Sequence, residues 1–318
     1  MDATAVVLEE PQHLRLREVA LNPPSDEDVV VDIAYSGIST GTERLLWTGE
    51  MPPFPGMGYP LVPGYESVGT IRAAGPASGR RAGEQVFVPG ARCFQDVHGL
   101  FGGAASSLVV PGSRVVVLPS GLGEQGVLLA LAATAHHALC DREGKAAAVD
   151  LVVGHGVLGR LITRIAIALG HPAPTVWEPN EDRKQTGPYD YAVACADTDP
   201  RRDYRRVCDA SGQSGLLDTL IGRLGPGGEV VLAGFYSEPL SFTFPPAFMR
   251  EARISVAAQW QPADLAAVLE LLTRDALSLD GLITHRLPAD QADRAYHTAF
   301  GDPHCLKMIL DWRDGLNG

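Results

Sequence analysis

The sequence predicts an α/β protein in which a doubly wound parallel sheet is inserted into a β-rich unit. Three observations carry this. Residues 3–119 are short alternating or apolar runs separated by Pro, Gly and Ser, the rhythm of a small barrel or sandwich. From residue 151 onward, strand-like and helix-like segments alternate, as they do in a parallel sheet covered by helices. Where this alternation begins, the apolar run Leu151-Val152-Val153 turns through three glycines into Arg160-Leu161-Ile162-Thr163. The expected boundaries are 1–120 and 260–318 for the β-rich unit and 121–259 for the inserted one.

In chain order, the β-rich part offers strands at 4–8, 14–18, 28–34, 67–73, 84–88, 106–110 and 114–118. Residues 121–139 turn helical. The inserted part then reads as strand 151–153, helix to Leu169, strand 175–178, strand 189–195, strand 206–210, helix 215–224 and strand 229–233, with Pro226-Gly227-Gly228 as the turn between the last two. A helix at 264–274 carries Leu265, Val268, Leu269 and Leu272 at core-packing spacing, and 283–312 holds two strand-like pieces flanking a helix.

Gly154, Gly156 and Gly159 form G-x-G-x-x-G between a strand and a helix, the context that a dinucleotide fingerprint requires. Gly154 allows a tight turn, Gly156 lets backbone approach a pyrophosphate, and Gly159 lets helix pack on strand. Val157 and Leu158 open the helix, whose free N–H groups and partial positive charge favour phosphate. Glu178 ends the next strand about 20 residues beyond the last glycine, placed to accept ribose hydroxyls and repel a 2′-phosphate. NAD is therefore expected over NADP, although Arg183 is a residue type that accommodates the extra phosphate.

The charge balance is acidic, with 26 Lys+Arg against 38 Asp+Glu and a net −12, which argues against nucleic-acid binding. The N-terminus lacks a basic export signal, and the longest apolar stretch, 127–140, is broken by His136-His137 and too short to span a bilayer. A cytoplasmic protein with no integral membrane segment is expected. Cys93, Cys140, Cys195, Cys208 and Cys305 are scattered, without a C-x-x-C pair, and suggest neither a disulfide framework nor a zinc knuckle.

With its β-rich first part, Pro63-Gly64-Tyr65-Glu66-Ser67-Val68-Gly69, the inserted G-x-G-x-x-G unit and the terminal Cys305-Leu306-Lys307-Met308-Ile309-Leu310, the chain resembles the medium-chain dehydrogenase/reductase superfamily over nearly its whole length. That resemblance implies a GroES-like catalytic domain holding an inserted Rossmann domain, and a homodimer. Within the superfamily, Tyr35–Arg44 and Ala233–Leu240 look most like the branch that oxidises the 3-(1-hydroxyethyl) group of a (bacterio)chlorophyllide to 3-acetyl, with NAD as hydride acceptor. The substrate implied is a tetrapyrrole. Two other readings stand beside it: an NAD(P)H-dependent quinone or enone reductase, and an NAD-binding redox sensor without turnover.

Zinc enzymes of this superfamily hold the metal with a Cys, a His in G-H-E, and a third Cys or Glu. By resemblance those positions here are Ser39, Tyr65 and Ala130, which cannot make a normal zinc site, so no catalytic metal is expected. A makeshift set of Cys93, His98 and Glu66 lacks recognised ligand spacing. The resemblance puts Tyr65 beside the nicotinamide, as a proton-passing group or as a packing residue. Acting as a base would require a lowered phenol pKa. Thr42 matches a proton-relay position, with the register open between Thr40 and Thr42, and Glu43 matches the acid that follows it. Glu66 is read as part of the proton path or as a supporting carboxylate, and Ser39, Thr40 and Tyr236 as substrate contacts. Thr134, Gly234 and Phe235 match positions against the nicotinamide, and Lys307 the base that reaches the pyrophosphate. His136 and His137 are read as packing residues or a proton shuttle. The aromatic run from Phe235 to Phe248 is read as packing, a subunit contact or a flat apolar surface for the tetrapyrrole.

Overall fold

The computed structural model describes residues 1–53 and 55–313. Backbone contacts divide it into two compact units, Met1–Ala130 together with the chain from Leu282 onward, and Leu131–Gly281. The chain thus leaves the first unit about ten residues later than residue 120, and the helix expected at 264–274 belongs to the second unit.

The first unit is built on strands β1 (Asp2–Glu10), β2 (His13–Ala20), β3 (Asp28–Ile38), β4 (Ser67–Ala74), β5 (Gln85–Val88), β6 (Ser107–Pro111) and β7 (Val116–Val117), with helix α1 (Thr42–Thr48) between β3 and β4. β1 and β2 form an antiparallel ribbon. Helix α2 (Leu129–Leu139), entered through a 3-10 turn at Gly123–Leu128, carries the chain into the second unit. Beyond residue 281 the first unit resumes as β14 (His285–Pro288), α7 (Ala292–Gly301) and β15 (Met308–Asp311). The returning strand β15 joins β3 antiparallel, so the larger sheet runs β14-β15-β3-β4-β5-β7, with β6 also on β3. Long β3 is therefore the spine. Its alternate Val29, Val31 and Ile33 are buried in a core shared with Val6, Leu108 and Tyr296. Helix α1 was not legible because Thr-Glu-Arg-Leu-Leu-Trp-Thr spans two turns, too short for a helical period to show.

The second unit contains β8 (Leu151–Val153), α3 (Val157–Ala168), β9 (Thr175–Trp177), β10 (Val193–Ala194), β11 (Tyr204–Asp209), α4 (Leu217–Arg223), β12 (Leu224–Leu232), α5 (Phe244–Met249), β13 (Arg253–Val256) and α6 (Pro262–Thr273). Its sheet is parallel throughout, in the order β10-β9-β8-β11-β12-β13. The order reverses at β8, the doubly wound arrangement. The segments read as successive strands at 175–178, 189–195 and 206–210 follow one another without an α-helix. Between β9 and β10 there is only a 3-10 turn at Glu181–Arg183, and no helix separates β10 from β11. Arginines on the helices that do form satisfy the carbonyls of these helix-free stretches. Arg160 of α3 donates to Arg183 O and Gln185 O, and Arg223 of α4 donates to Ala196 O and Asp199 O. The glycine turn at 226–228 lies inside β12 as a register irregularity, since Tyr204 pairs Leu224 while Arg206 pairs Glu229.

Candidate active site

In the first unit, Ser39 follows β3 and Tyr65 precedes β4, two strands paired side by side, which brings residues 26 positions apart into contact. Ser39 Oγ and Tyr65 OH lie 2.6 Å apart, and the Tyr65 hydroxyl is 3.5 Å from Thr42 Oγ1 at the start of α1. Thr42 is half-buried whereas Thr40 is exposed, so the relay position next to the phenol is Thr42. The Tyr65 ring stands edge-on to Phe101 at 5.1 Å. Burial, reinforced by the nearby Glu66 carboxylate, drives the phenol above its ordinary value of 10.0. A phenolate base is therefore the wrong picture. Tyr65 is a neutral hydroxyl that can take a proton only while passing its own to Ser39 or Thr42.

Two buried carboxylates frame this triad. Glu43 accepts from the Ser39 N–H at 3.1 Å and from the Tyr296 hydroxyl at 2.6 Å. Desolvation outweighs the Tyr296 hydrogen bond and raises its pKa to about 7. Glu66 is fully buried, and its Oε2 receives the Lys307 ammonium at 2.6 Å while Oε1 has no hydrogen-bond partner. Burial raises the Glu66 pKa and Lys307 opposes the rise. The expected Tyr65/Thr42/Glu66 network thus resolves into two: Tyr65 with Ser39 and Thr42, and Glu66 with Lys307. Lys307 also donates to Ile38 O at 3.1 Å and is 1% exposed. Its ammonium is committed to this ion pair rather than presented to a pyrophosphate. The fit is close, because a Cβ on Gly37 would fall 2.2 Å from Glu66 Oε2.

The donor set does not suit zinc. Ser39 and Tyr65 supply a hydroxyl and a phenol already hydrogen-bonded to each other, and buried Ala130 supplies a methyl. Among the described residues, Cys93, His98 and Glu66 form no cluster with ligand atoms in reach of one cation.

In the second unit, Gly154 takes φ 92°, and a Cβ on Gly159 would lie 1.9 Å from Gly154 O. Both glycines are required by the turn itself. Gly156 is different: it caps α3 with no side-chain bond, and the space where its Cβ would point is open to 4 Å. That opening, at a helix N-terminus with Val157 and Leu158 in the first turn, fits a pyrophosphate. Glu178 is buried at the end of β9, its two oxygens accepting from His155 N at 3.1 Å and Asn180 N at 2.9 Å. A carboxylate offers about four lone-pair directions, so two remain for ribose hydroxyls. Half-buried Arg183 follows in the 3-10 turn.

His155 went unnoticed in the sequence because it sits at a variable position of the fingerprint. Its ring is buried, with Nδ1 donating to Arg183 O at 2.5 Å and Nε2 accepting from Tyr191 OH at 2.6 Å. A carbonyl only accepts, so the proton is on Nδ1. Desolvation, with Arg160 nearby, lowers its pKa to about 4, so the ring is neutral. His155 and Arg160 thus tie the helix-free loop after β9 to the glycine turn.

Gly234 and Phe235 leave the end of β12, where a Cβ on Gly234 would meet Gly212 N at 2.8 Å; Phe235 is half exposed. Tyr236 is half-buried, its hydroxyl donating to Asp209 O at 3.4 Å. Phe244 and Phe248, by contrast, are exposed on α5. Thr134 is half-buried on α2, and His136 and His137 both bond Asp264.

A GroES-like β unit interrupted by a Rossmann unit defines a dehydrogenase of the medium-chain dehydrogenase/reductase superfamily. Residues 25–120 match the alcohol dehydrogenase GroES-like domain. Solved structures agree on the fold. A dehydrogenase from Escherichia coli complexed with NADH superposes with a TM-score of 0.81 at 22% identity, covering 98% of this chain and 99% of that one. A dehydrogenase from Sinorhizobium meliloti bound to NADP gives 0.80 at 20% identity, covering 98% and 99%. A full-length relative is far more similar: the 2-desacetyl-2-hydroxyethyl bacteriochlorophyllide A dehydrogenase of Rhodobacter capsulatus is 56% identical, covering 99% of each chain. Its counterpart from Cereibacter sphaeroides is 54% identical, covering 98% of this chain and 99% of that one. The chain belongs to this bacteriochlorophyllide dehydrogenase family. No helix among the described residues is long and apolar enough to cross a membrane.

Proposed function

We propose that the protein oxidises the 3-(1-hydroxyethyl) group of a (bacterio)chlorophyllide to 3-acetyl, using NAD and no catalytic zinc, in bacteriochlorophyll biosynthesis. The observation that carries the substrate is the 56% identity over the full length of a dehydrogenase named for that reaction. The metal-free chemistry is supported by the 2.6 Å hydrogen bond between Ser39 and Tyr65, which stand where zinc enzymes carry Cys and His.

A bound NAD would supply the acceptor for the hydride that leaves the carbinol carbon. Gly154, Gly156 and Gly159, the first turn of α3, and Glu178 would hold its dinucleotide, and Thr134, Gly234 and Phe235 would by resemblance border the nicotinamide. The carboxylate of Glu178 is the basis for NAD over NADP, since it would repel a 2′-phosphate. In the first unit the Tyr65 hydroxyl, held by Ser39, would accept the alcohol proton as it gives its own to half-buried Thr42, whose hydroxyl proton leaves in turn to water. Glu43 fixes Ser39 through its backbone N–H, and the Glu66–Lys307 pair fixes Ile38 beside it. A homodimer is supported by β13, an edge strand with Val256 72% exposed, close in sequence to exposed Phe244, Phe248 and Met249 on α5.

Incubation of the purified protein with NAD and the hydroxyethyl pigment tests the reading. Formation of NADH together with the absorption shift of a conjugated acetyl group is expected. Quinone reduction with no pigment turnover, or cofactor binding with no turnover at all, overturns it. An NADP preference overturns the role of Glu178 alone.

A further inference from the structure

The second unit carries a cluster that the proposed chemistry does not use. His136 lies in the last turn of α2 and Cys140 directly follows the helix, four positions on, and Asp264 faces them from the first turn of α6, more than 120 positions away. His136 Nδ1 lies 2.8 Å from Asp264 Oδ1, and Cys140 Sγ lies 3.7 Å from each of these atoms. His136 and Asp264 are buried and Cys140 is half-buried.

This is not the arrangement of a Cys-His nucleophile. Such a relay uses the two ring nitrogens for different partners, one for the thiol and one for the carboxylate. Here the same nitrogen faces both sulfur and oxygen, so three donors converge on one point. A point about 0.7 Å out of their plane stands about 2.3 Å from the sulfur and about 2.0 Å from the nitrogen and oxygen, which are zinc–ligand distances. The fourth tetrahedral position is left for water or a further ligand.

We propose that His136, Cys140 and Asp264 bind a divalent cation of the zinc class, tying α2 to α6 in the second unit. The donors are an imidazole, a thiol and a carboxylate, a mixture that suits a borderline-soft ion better than magnesium or calcium. Asp264 is held for this task on its other oxygen, where Oδ2 receives His137 Nδ1 at 2.9 Å and Gln261 N at 2.7 Å. Arg206, whose guanidinium bonds Cys140 O at 2.8 Å, sits on the helix end and favours the thiolate. One thiolate and one carboxylate balance a dication.

The test uses the whole protein, stripped with a chelator and titrated with Co²⁺ and with Zn²⁺. One equivalent is expected, with a near-ultraviolet thiolate-to-cobalt charge-transfer band. Cys140→Ser should abolish the band, and Asp264→Asn should abolish stoichiometric binding. His137→Ala should weaken zinc by about 10–100-fold, as loss of a ligand-orienting partner does. Circular dichroism of each apo variant establishes that it is folded. Ser39→Ala should bind metal as the wild type does. Absence of any cobalt band in the folded wild type, or a band that survives Cys140→Ser, overturns the inference. Metal lost in Ser39→Ala but kept in Cys140→Ser overturns it too, and would place the ion in the first unit.

Discussion

Lys307→Met separates two roles for one buried ammonium. At 2.6 Å from Glu66 its attraction amounts to about 6 kcal/mol at an effective dielectric constant near 20, most of it offset by the desolvation of both ions. Removing the lysine leaves that desolvation uncompensated, and the buried carboxyl escapes by taking up a proton. Keeping neutral in the folded state a group whose ordinary pKa is 4.5 costs, at pH 7, about 3 kcal/mol, and at pH 5 less than about 1 kcal/mol. The variant should therefore be destabilised by about 3 kcal/mol at pH 7, and most of the loss should vanish by pH 5. Adding Glu66→Gln should restore much of the stability at pH 7, because no charge is then left stranded. Denaturant melts at the two pH values, alongside NAD titration of each variant, provide the measurement. A variant of unchanged stability whose NAD affinity has collapsed would refute the ion-pair argument and return Lys307 to the pyrophosphate.

Tyr65→Phe should lower kcat by about 100-fold or more, the scale of a lost proton-transfer group, while leaving NAD affinity unchanged; steady-state kinetics and cofactor titration check both halves. Gly156→Ala should fold normally and lose NAD affinity, because its Cβ meets only open space, whereas Gly159→Ala should fail to fold properly against Gly154 O; melting curves and NAD titrations distinguish them. Glu43, raised to about 7, makes the fold less stable as pH climbs from about 4.5 through 7, by up to about 3 kcal/mol. Glu43→Gln should flatten that slope, and parallel slopes in the two proteins would show that Glu43 does not titrate there.

Features set by neighbouring residues could be read directly from the chain. Alternating apolar runs specify the strands of the first unit, and Gly154, Gly156 and Gly159 specify the turn, because a left-handed φ or a close backbone approach is a local demand. That Ser39, Tyr65 and Ala130 stand at the positions which the resemblance assigns to zinc ligands was likewise legible from residue identity alone. The connections after β9 and β10 could be read as strand to strand without a helix, but nothing in those segments reveals that Arg160 and Arg223 satisfy their carbonyls from neighbouring helices.

Which side chains meet was decided only by tertiary structure. Lys307 and Glu66, 241 positions apart, are neighbours because β15 returns to pair with β3, and that pairing committed the lysine to a carboxylate that sequence reasoning had placed in the proton path. Thr42 rather than Thr40 faces Tyr65 because α1 begins there, and His136 and His137 acquire a shared partner only when α6 folds onto α2. The physical reason is common to all three. Backbone conformation follows from local sterics and periodicity, whereas the charge state and role of a buried polar group depend on whichever group the fold sets against it.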